Sequence, residues 1–253
     1  MAYLFIDKSK KVDRSVIKRL EALSDDFYFI VGGDGTFIDT ALDYNNKIVV
    51  PIAAPNRNNS RSLRSAGQMI PHDIEEIDKI IEAIENDSYM IKELPVLECS
   101  IYGYTYKTIA DFYVERGVAR GALRYDIDIK DNSKKMQISA VSNGFIVTTP
   151  LGSTGYFSYI DILNKKEPRR IDGIGLAHIL PITIVNKIDG KQLDPEVRSI
   201  FSMKVDIEVN IRRDADSHLY GIPKIPSGIR IITDKISFRV SKEGVKMLVL
   251  SRS

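Results

Sequence analysis

The densest chemical signal in the sequence is Gly32-Gly33-Asp34-Gly35-Thr36. Three glycines let the main chain turn tightly and approach a polyanion with no side chain in the way, and the amides that open a following helix point at it, which suits a phosphate. Asp34 stands out because a carboxylate beside a phosphate repels it unless a cation or a transferable proton is present. Three roles fit: a general base for an attacking hydroxyl, a ligand helping to hold Mg²⁺, or the cap of a tight Asp-Gly turn. A second concentration is Thr148-Thr149-Pro150-Leu151-Gly152-Ser153-Thr154-Gly155-Tyr156, preceded by Asn143-Gly144. Its short hydroxyl donors and open backbone suit sugar hydroxyls and phosphates, and Tyr156 offers a ring for stacking; the plainer reading is a Ser/Thr-rich loop. Arg57, Arg61 and Arg64 are four and then three residues apart, so on a helix they share one face that clamps a phosphate through bidentate guanidinium bonds. The plainer reading there is a solvated surface with scattered ion pairs.

The elements that must position these residues follow from periodicity. Tyr3 to Ile6 reads as a strand, and Val12, Val16, Ile17, Leu20 and Leu23 lie on one helical face. Phe27 to Val31 is a second apolar strand ending at the glycines, Thr36 to Tyr44 is helical, and Ile48 to Ala54 is a third strand. Ile74, Ile77, Ile80, Ile81 and Ile84 form another helical stripe. Short apolar strands alternating with amphipathic helices imply a parallel sheet with right-handed crossovers. After Pro95 the period changes to two: Tyr125, Ile127 and Ile129 alternate with polar residues, as do Met203, Val205, Ile207, Val209 and Ile211. Further strands are predicted at Ile229–Ile232, Ile236–Val240 and Val245–Leu250. The fold class expected is an α/β Rossmann-like N-terminal domain, residues 1–93, followed by an all-β, sandwich-like domain, residues 94–253. A ligand is expected in a cleft between them, because the glycine loop sits at the carboxyl end of a strand.

Composition narrows the function classes. Across 253 residues, 36 Lys and Arg against 34 Asp and Glu leave a net charge of +2, too balanced for a dedicated nucleic-acid binder. The lone Cys99 excludes an intrachain disulfide and is compatible with a reducing cytoplasm. No apolar run reaches the ~18 residues that span a bilayer, so no membrane association is expected. His72, His178 and His218 have no second His or Cys at zinc-ligand spacing, so no metal cage of side chains is expected.

Taken together, the glycine loop and the Thr-Pro-Leu-Gly-Ser-Thr-Gly-Tyr segment make the chain resemble the NAD kinases. That family pairs a Gly-Gly-Asp-Gly-Thr loop in an α/β domain with a Ser-Thr-Pro-Thr-Gly-Ser-Thr-Ala-Tyr-like segment in a β-rich domain. The loop alone is shared with diacylglycerol kinases, sphingosine kinases and phosphofructokinases; the second segment is what points to NAD kinase. The resemblance runs from Tyr3 to about Ile232. It implies that Asp34 is the catalytic base or organiser for the adenosine 2′-hydroxyl of NAD, and that Gly32, Gly33, Gly35 and Thr36 bind the phosphoryl donor; the spacing of Arg57 and Arg61, not the resemblance, adds them as phosphate-binding candidates. It implies substrate contacts at Asp111, Asn143, Thr154, Gly155 and Tyr156, with Mg²⁺ accompanying ATP or polyphosphate. Leu180-Pro181-Ile182-Thr183 resembles a segment that reaches a neighbouring subunit in family oligomers, implying a homodimer or homotetramer.

Several positions depart from that pattern. Ala110 stands in place of the asparagine of an Asn-Glu or Asn-Asp pair, Asn143 replaces the aspartate of an Asp-Gly, and Tyr220-Gly221 replaces a second Asp-Gly. The arginine-rich stretch from Arg57 to Arg64 occupies a Gly-x-Leu-Gly-Phe loop region. The alternatives to NAD phosphorylation are therefore a kinase of another hydroxyl compound and a non-catalytic nucleotide or NADP sensor.

Overall fold

The computed structural model describes residues 1–44, 46–54, 69–118, 121–163, 169–188, 190–213, 216–233 and 235–250. The chain divides into two compact units, Met1–Leu94 with Glu243–Ser253, and Pro95–Lys242.

In the first unit, β1 (Tyr3–Ile6), α1 (Arg14–Glu21), β2 (Phe27–Gly32), α2 (Asp34–Thr40) and β3 (Ile48–Ala53) follow one another as the periodicity predicts. Then come the short β4 (His72–Asp73), a 3₁₀ turn (Ile74–Glu76), α3 (Ile77–Glu85) and β5 (Tyr89–Leu94). β1, β2 and β3 pair in parallel, so their carboxyl ends lie along one sheet edge. The C-terminal strand Val245–Leu250 lies between β3 and β5, parallel to the first and antiparallel to the second. This corrects two sequence expectations. Val245–Leu250 does not belong to the β-rich half, and the sheet is mixed at that edge. Its sequence, Val-Lys-Met-Leu-Val-Leu, has the near-continuous apolar character of a buried strand in either setting, so composition cannot assign its partner.

One face of this sheet carries the isoleucine stripe. Phe29, Val31, Val50 and Ile52 form a core with Leu20 of α1 and Ile77, Ile80, Ile81 and Ile84 of α3. α1 starts at an Asp13 cap that accepts the Ser15 amide, one residue or two inside the predicted helix. α2 begins earlier than predicted, at Asp34 itself, and ends at Thr40.

The second unit is antiparallel throughout. Its strands are β6 (Leu97–Ile101), β7 (Tyr104–Thr108), β8 (Asp111–Glu115), β9 (Leu123–Asp131), β10 (Lys134–Ser142), β11 (Gly144–Thr148), β12 (Ile174–Ile179), β13 (Thr183–Ile188), β14 (Lys191–Leu193), β15 (Arg198–Phe201), β16 (Asp206–Arg213), β17 (His218–Tyr220), β18 (Ile229–Arg230) and β19 (Lys235–Val240). They form an eight-stranded sheet in the order β14-β13-β10-β9-β16-β19-β6-β7 and a six-stranded sheet in the order β15-β12-β11-β8-β17-β18. A single core draws Ile127, Ile129, Val209 and Phe238 from the first sheet and Phe112, Val114, Phe145, Val147 and Leu219 from the second. The apolar run Ile174–Val185 is broken at Leu180-Pro181 into β12 of the six-stranded sheet and β13 of the eight-stranded sheet, with Leu180 at φ 43° in the connection. Among the described residues no helix is long and apolar enough to cross a membrane.

Candidate active site

The glycine loop leaves β2 directly into α2. Its three glycines divide the work. A Cβ on Gly32 would lie 2.5 Å from the Thr36 Cβ, so Gly32 is fixed by packing against Thr36. Among the described residues a Cβ on Gly33 or Gly35 would meet nothing within 4 Å, so the main chain there is bare. Gly33 is the N-cap of α2 and makes no side-chain cap bond, so Asp34 is not the cap but the first helical residue. Asp34 is half-buried, and an acid in the first turn is favoured by the helix dipole.

Sequence reasoning missed the partner of this loop. The Thr36 hydroxyl donates to Asp7 Oδ2 at 2.7 Å, and the Ser9 amide donates to Asp7 Oδ1 at 2.8 Å. The Thr36 bond, the Ser9 bonds and the neighbouring Lys10 charge hold the Asp7 carboxyl below its ordinary value against a smaller opposing effect of burial. A signal was available: Ile6 pairs with Val31, so Asp7, the residue after β1, must flank Gly32 at the end of β2. Lys10 is buried beside it.

In the second unit, three chain segments converge on β8. Alternation sends Phe112 and Val114 into the core and leaves Asp111, Tyr113 and Glu115 half-buried on the opposite face. The Thr149 hydroxyl donates to the Ile109 carbonyl at 2.6 Å, and a Cβ on Gly152 would lie 2.6 Å from the Ala110 carbonyl carbon. The 148–156 segment is therefore seated against Ile109 and Ala110. Gly221, at φ 83°, lies so close that a Cβ would come within 2.0 Å of the Asp111 carbonyl oxygen. Gly144 makes a similar approach, 1.9 Å from the Val114 carbonyl oxygen. Both glycines of the altered Asn143-Gly144 and Tyr220-Gly221 steps are thus held by contact with β8, which leaves the preceding residue open to exchange.

Three hydroxyls of the Thr/Ser segment, and that of Ser158 just beyond it, do not face outward, where the sequence suggested ligand donors in the segment. Thr148, Thr149, Ser153 and Ser158 are fully buried and donate to backbone carbonyls of Thr149, Ile109, Pro150 and Gly155. Thr149 also receives the Leu151 and Gly152 amides at 3.2 and 3.3 Å, so these side chains build the turn. Thr154 is buried, Gly155 half-buried and Tyr156 exposed, so of the three only Tyr156 has much accessible surface. Asn143 spends its backbone on the turn: its carbonyl accepts the Arg116 amide and its amide donates to Ile179, both at 2.9 Å.

Tyr156 joins an aromatic group. Its hydroxyl donates to Glu115 Oε1 at 2.5 Å, and its ring meets Tyr113 edge-on at 5.3 Å. Tyr113 stacks on Tyr220 at 5.2 Å with an interplanar angle of 17°. Burial pushes the Asp111 carboxyl from 3.8 up to about 7. Because this acid holds its proton more tightly when folded, its contribution to stability is full below about pH 4 and lost as pH rises through about 7. Asp111→Asn is expected to remove that part of the pH slope of the urea midpoint; an unchanged slope would contradict the assignment.

Behind β8 and β11 lies a buried polar knot. The Tyr125 hydroxyl is 2.6 Å from His178 Nδ1, 2.9 Å from Ser142 Oγ and 3.1 Å from the Gly144 carbonyl oxygen. His178 is 1% exposed, and burial lowers its imidazole to about 4. The sign is opposite to that of Asp111: this contribution is full above about pH 6.5 and lost as pH falls through about 4. Tyr125→Phe is expected to cost about 1–3 kcal/mol in urea unfolding at neutral pH, because buried polar groups lose a partner.

Arg57, Arg61 and Arg64 lie outside the described residues. Leu180 and Ile182 are 60% and 74% exposed. A 670 Å³ cavity over the eight-stranded sheet, lined by Asp128, Gln137, Lys187 and Arg239 among others, includes none of the sequence-predicted residues. Among the described residues no group of three or more His, Cys, Asp or Glu could hold a metal ion. Mg²⁺ usually relies on one or two carboxylates plus substrate phosphates, so the single carboxylate of the glycine loop, Asp34, fits a donor-borne ion better than a protein cage.

An α/β unit carrying this loop, joined in sequence to a two-sheet antiparallel unit, is the fold of the NAD and NADH kinases. The structure matches yeast NADH kinase complexed with NADH at a TM-score of 0.67 and 18% identity, covering 89% of this chain and 62% of that one. It matches an Archaeoglobus fulgidus NAD kinase in complex with ATP at a TM-score of 0.59 and 18% identity, covering 92% and 86%. In sequence, the chain is 30% identical to a Clostridium perfringens NAD kinase over 160 residues, 61% of this chain and 54% of that protein. It is 28% identical to a Borrelia garinii NAD kinase over 167 residues, 64% and 56%. The chain thus spans about half the length of these curated relatives. No family model matches it. Fold and sequence together support a divergent member of the NAD kinase family.

Proposed function

We propose that the chain transfers a phosphoryl group from ATP or inorganic polyphosphate to the 2′-hydroxyl of NAD, yielding NADP. The observation that carries this reading is the loop from Gly32 to Thr36, bare at Gly33 and Gly35 among the described residues and carrying a half-buried carboxylate at the carboxyl end of a parallel strand. In this reading the first unit is Rossmann-like and its loop amides bind the donor phosphates. Thr36 is held for that task by Asp7. The second unit is sandwich-like and binds the acceptor through Asp111, Asn143, Thr154, Gly155 and Tyr156, with Asn143 acting through its side chain because its backbone is spent on the turn.

The chemistry balances simply. The bond between the donor's terminal phosphorus and its bridging oxygen breaks, the bond from the 2′-oxygen to that phosphorus forms, and the 2′-hydroxyl proton passes to Asp34. Phosphoryl transfer needs positioning and charge neutralisation more than covalent help. Mg²⁺ bound to the donor supplies part of that neutralisation. Asp34 accepts the proton and orients the hydroxyl, while the loop amides fix the phosphate. The same reading places the protein in the cytoplasm, which the lone buried Cys99 supports, and makes it a homodimer or homotetramer, which the exposed Leu180 and Ile182 support.

Purified protein incubated with NAD, Mg²⁺ and either ATP or polyphosphate is expected to form NADP. Donor consumption with another hydroxyl compound and none with NAD would make it a different kinase. Saturable NADP binding without transfer from any donor would make it a sensor.

A further inference from the structure

We infer that the outer face of the eight-stranded sheet carries a phosphate site, a pocket in which Arg124 and Arg213, with Arg212 beside them, hold the dianionic phosphate group of a small phosphorylated molecule. The lining of this pocket includes no residue of the glycine loop or of β8, so the inference stands apart from the NAD-kinase reading.

Register and a bulge build the pocket. Alternation along β9 buries Leu123, Tyr125 and Ile127 and turns Arg124 and Asp126 to the outer face. Across the sheet, Thr183 of β13, Val141 of β10, Arg124 of β9 and Arg213 of β16 stand in one row. Strict alternation along β16 would send Arg213 to the core side, where Val209 and Ile211 are buried. The register shifts between Ile211 and Arg213 instead, and this bulge sets Arg213 directly opposite Arg124 and leaves both Arg212 and Arg213 exposed. A cavity of about 520 Å³ lies over this row and the next, with Arg124, Asp126, Ser139, Thr183, Arg212 and Arg213 as its polar lining. That volume lies within the range of about 300–1,000 Å³ typical of small-molecule sites.

The charges in this lining do not balance. Three guanidiniums face one carboxylate, Asp126, and that carboxylate is already engaged: it accepts the Ser139 hydroxyl at 2.6 Å and the Arg212 Nε. Among the described residues Arg124 and Arg213 have no ion-pair partner. Like charges directly opposite on neighbouring strands destabilise a sheet, and an anion seated between them offsets that cost. Arg213 is also held in place. Gly121, at φ 124°, lies so near that a Cβ there would come within 2.9 Å of Arg213 Nη2, so a glycine leaves room for the guanidinium. The Gly121 carbonyl in turn accepts Arg116 Nη1 at 3.4 Å. Each guanidinium presents a planar fork of donors that bonds two oxygens at once. A tetrahedral phosphate has enough oxygens to bridge two such forks, and its two negative charges match the excess of two positive ones in the lining.

Titration of the full chain with inorganic pyrophosphate, free of Mg²⁺ and at constant ionic strength, followed through the backbone amide resonances, tests this. The expected result is saturable movement of the Gly121, Arg124 and Arg213 amides. Arg124→Gln and Arg213→Gln are each expected to weaken that binding by about 3- to 10-fold, near the net worth of one hydrogen bond. Arg124→Lys is expected to weaken it less than Arg124→Gln, because the charge stays while the fork is lost. The urea midpoint of Arg124→Gln is expected to hold or rise as the like-charge pair is relieved, which separates lost binding from a lost fold. No saturable movement, movement confined to residues 32–36, or an affinity that both glutamine variants leave unchanged would overturn the inference. None of these results bears on NADP formation, so the NAD-kinase reading would stand or fall separately.

Discussion

Replacing Asp34 with asparagine is expected to lower kcat for NADP formation by about 10²- to 10⁴-fold, with nucleotide affinity changed by less than a few-fold. Asparagine has nearly the shape of aspartate and still orients a hydroxyl, but it cannot take up the 2′-hydroxyl proton. The fold loses little in this exchange. Gly33, not Asp34, caps α2, so the cost is the interaction of one acid with the helix dipole, about 0.3–1 kcal/mol. Steady-state kinetics with matched nucleotide titrations separate the two effects. A fall in kcat with unchanged affinity supports a base in the reaction. A variant that keeps full activity would show that Asp34 only begins the helix.

The second large effect is expected at Gly221. Gly221→Ala is expected to destabilise the chain by about 2–6 kcal/mol, combining a left-handed backbone with overpacking against a carbonyl. At φ 83° an alanine is strained, and its Cβ would sit 2.0 Å from the Asp111 carbonyl oxygen, so β17 and β8 must separate or tilt. Separation moves Tyr220 off Tyr113, and the acceptor side of the site is expected to fail with the fold. Urea denaturation and NAD titration of the same preparation check both consequences. A change of less than about 1 kcal/mol would mean that this approach is looser than the geometry implies.

The contrast between these two residues explains what was legible in the sequence. The placement of Asp34 was readable because its setting is local: glycines on either side, an apolar strand before it and a helix from it onward. The strands and helices of the first unit were readable for the same reason, since each buries a face whose period is written in consecutive residues. Gly221 and Tyr220 were not, because their roles depend on a pairing with β8 across more than a hundred residues of chain. The same holds for the C-terminal strand, whose apolar run fits two sheets equally well until its partners β3 and β5 are known. Asp7 was a nearer miss, since parallel pairing of the first two strands already sets it beside Gly32.

Hydroxyl-rich segments mislead in a particular way. Thr148, Thr149 and Ser153 look like ligand donors when counted, yet a tight buried turn needs many short acceptors and donors for its own backbone. What reaches outward is the residue too large to bury, Tyr156. Its ring and hydroxyl connect the segment to Tyr113 and Glu115 on β8.

A crystal structure of the chain with NADP bound tests the central claim most directly. The account predicts the 2′-phosphate within about 2.7–3.2 Å of main-chain amides between Gly33 and Thr36, with the Asp34 carboxylate beside the 2′-oxygen. A bound nucleotide whose 2′-phosphate lies away from residues 32–36, or an Asp34 carboxylate turned from the 2′-oxygen, would contradict it.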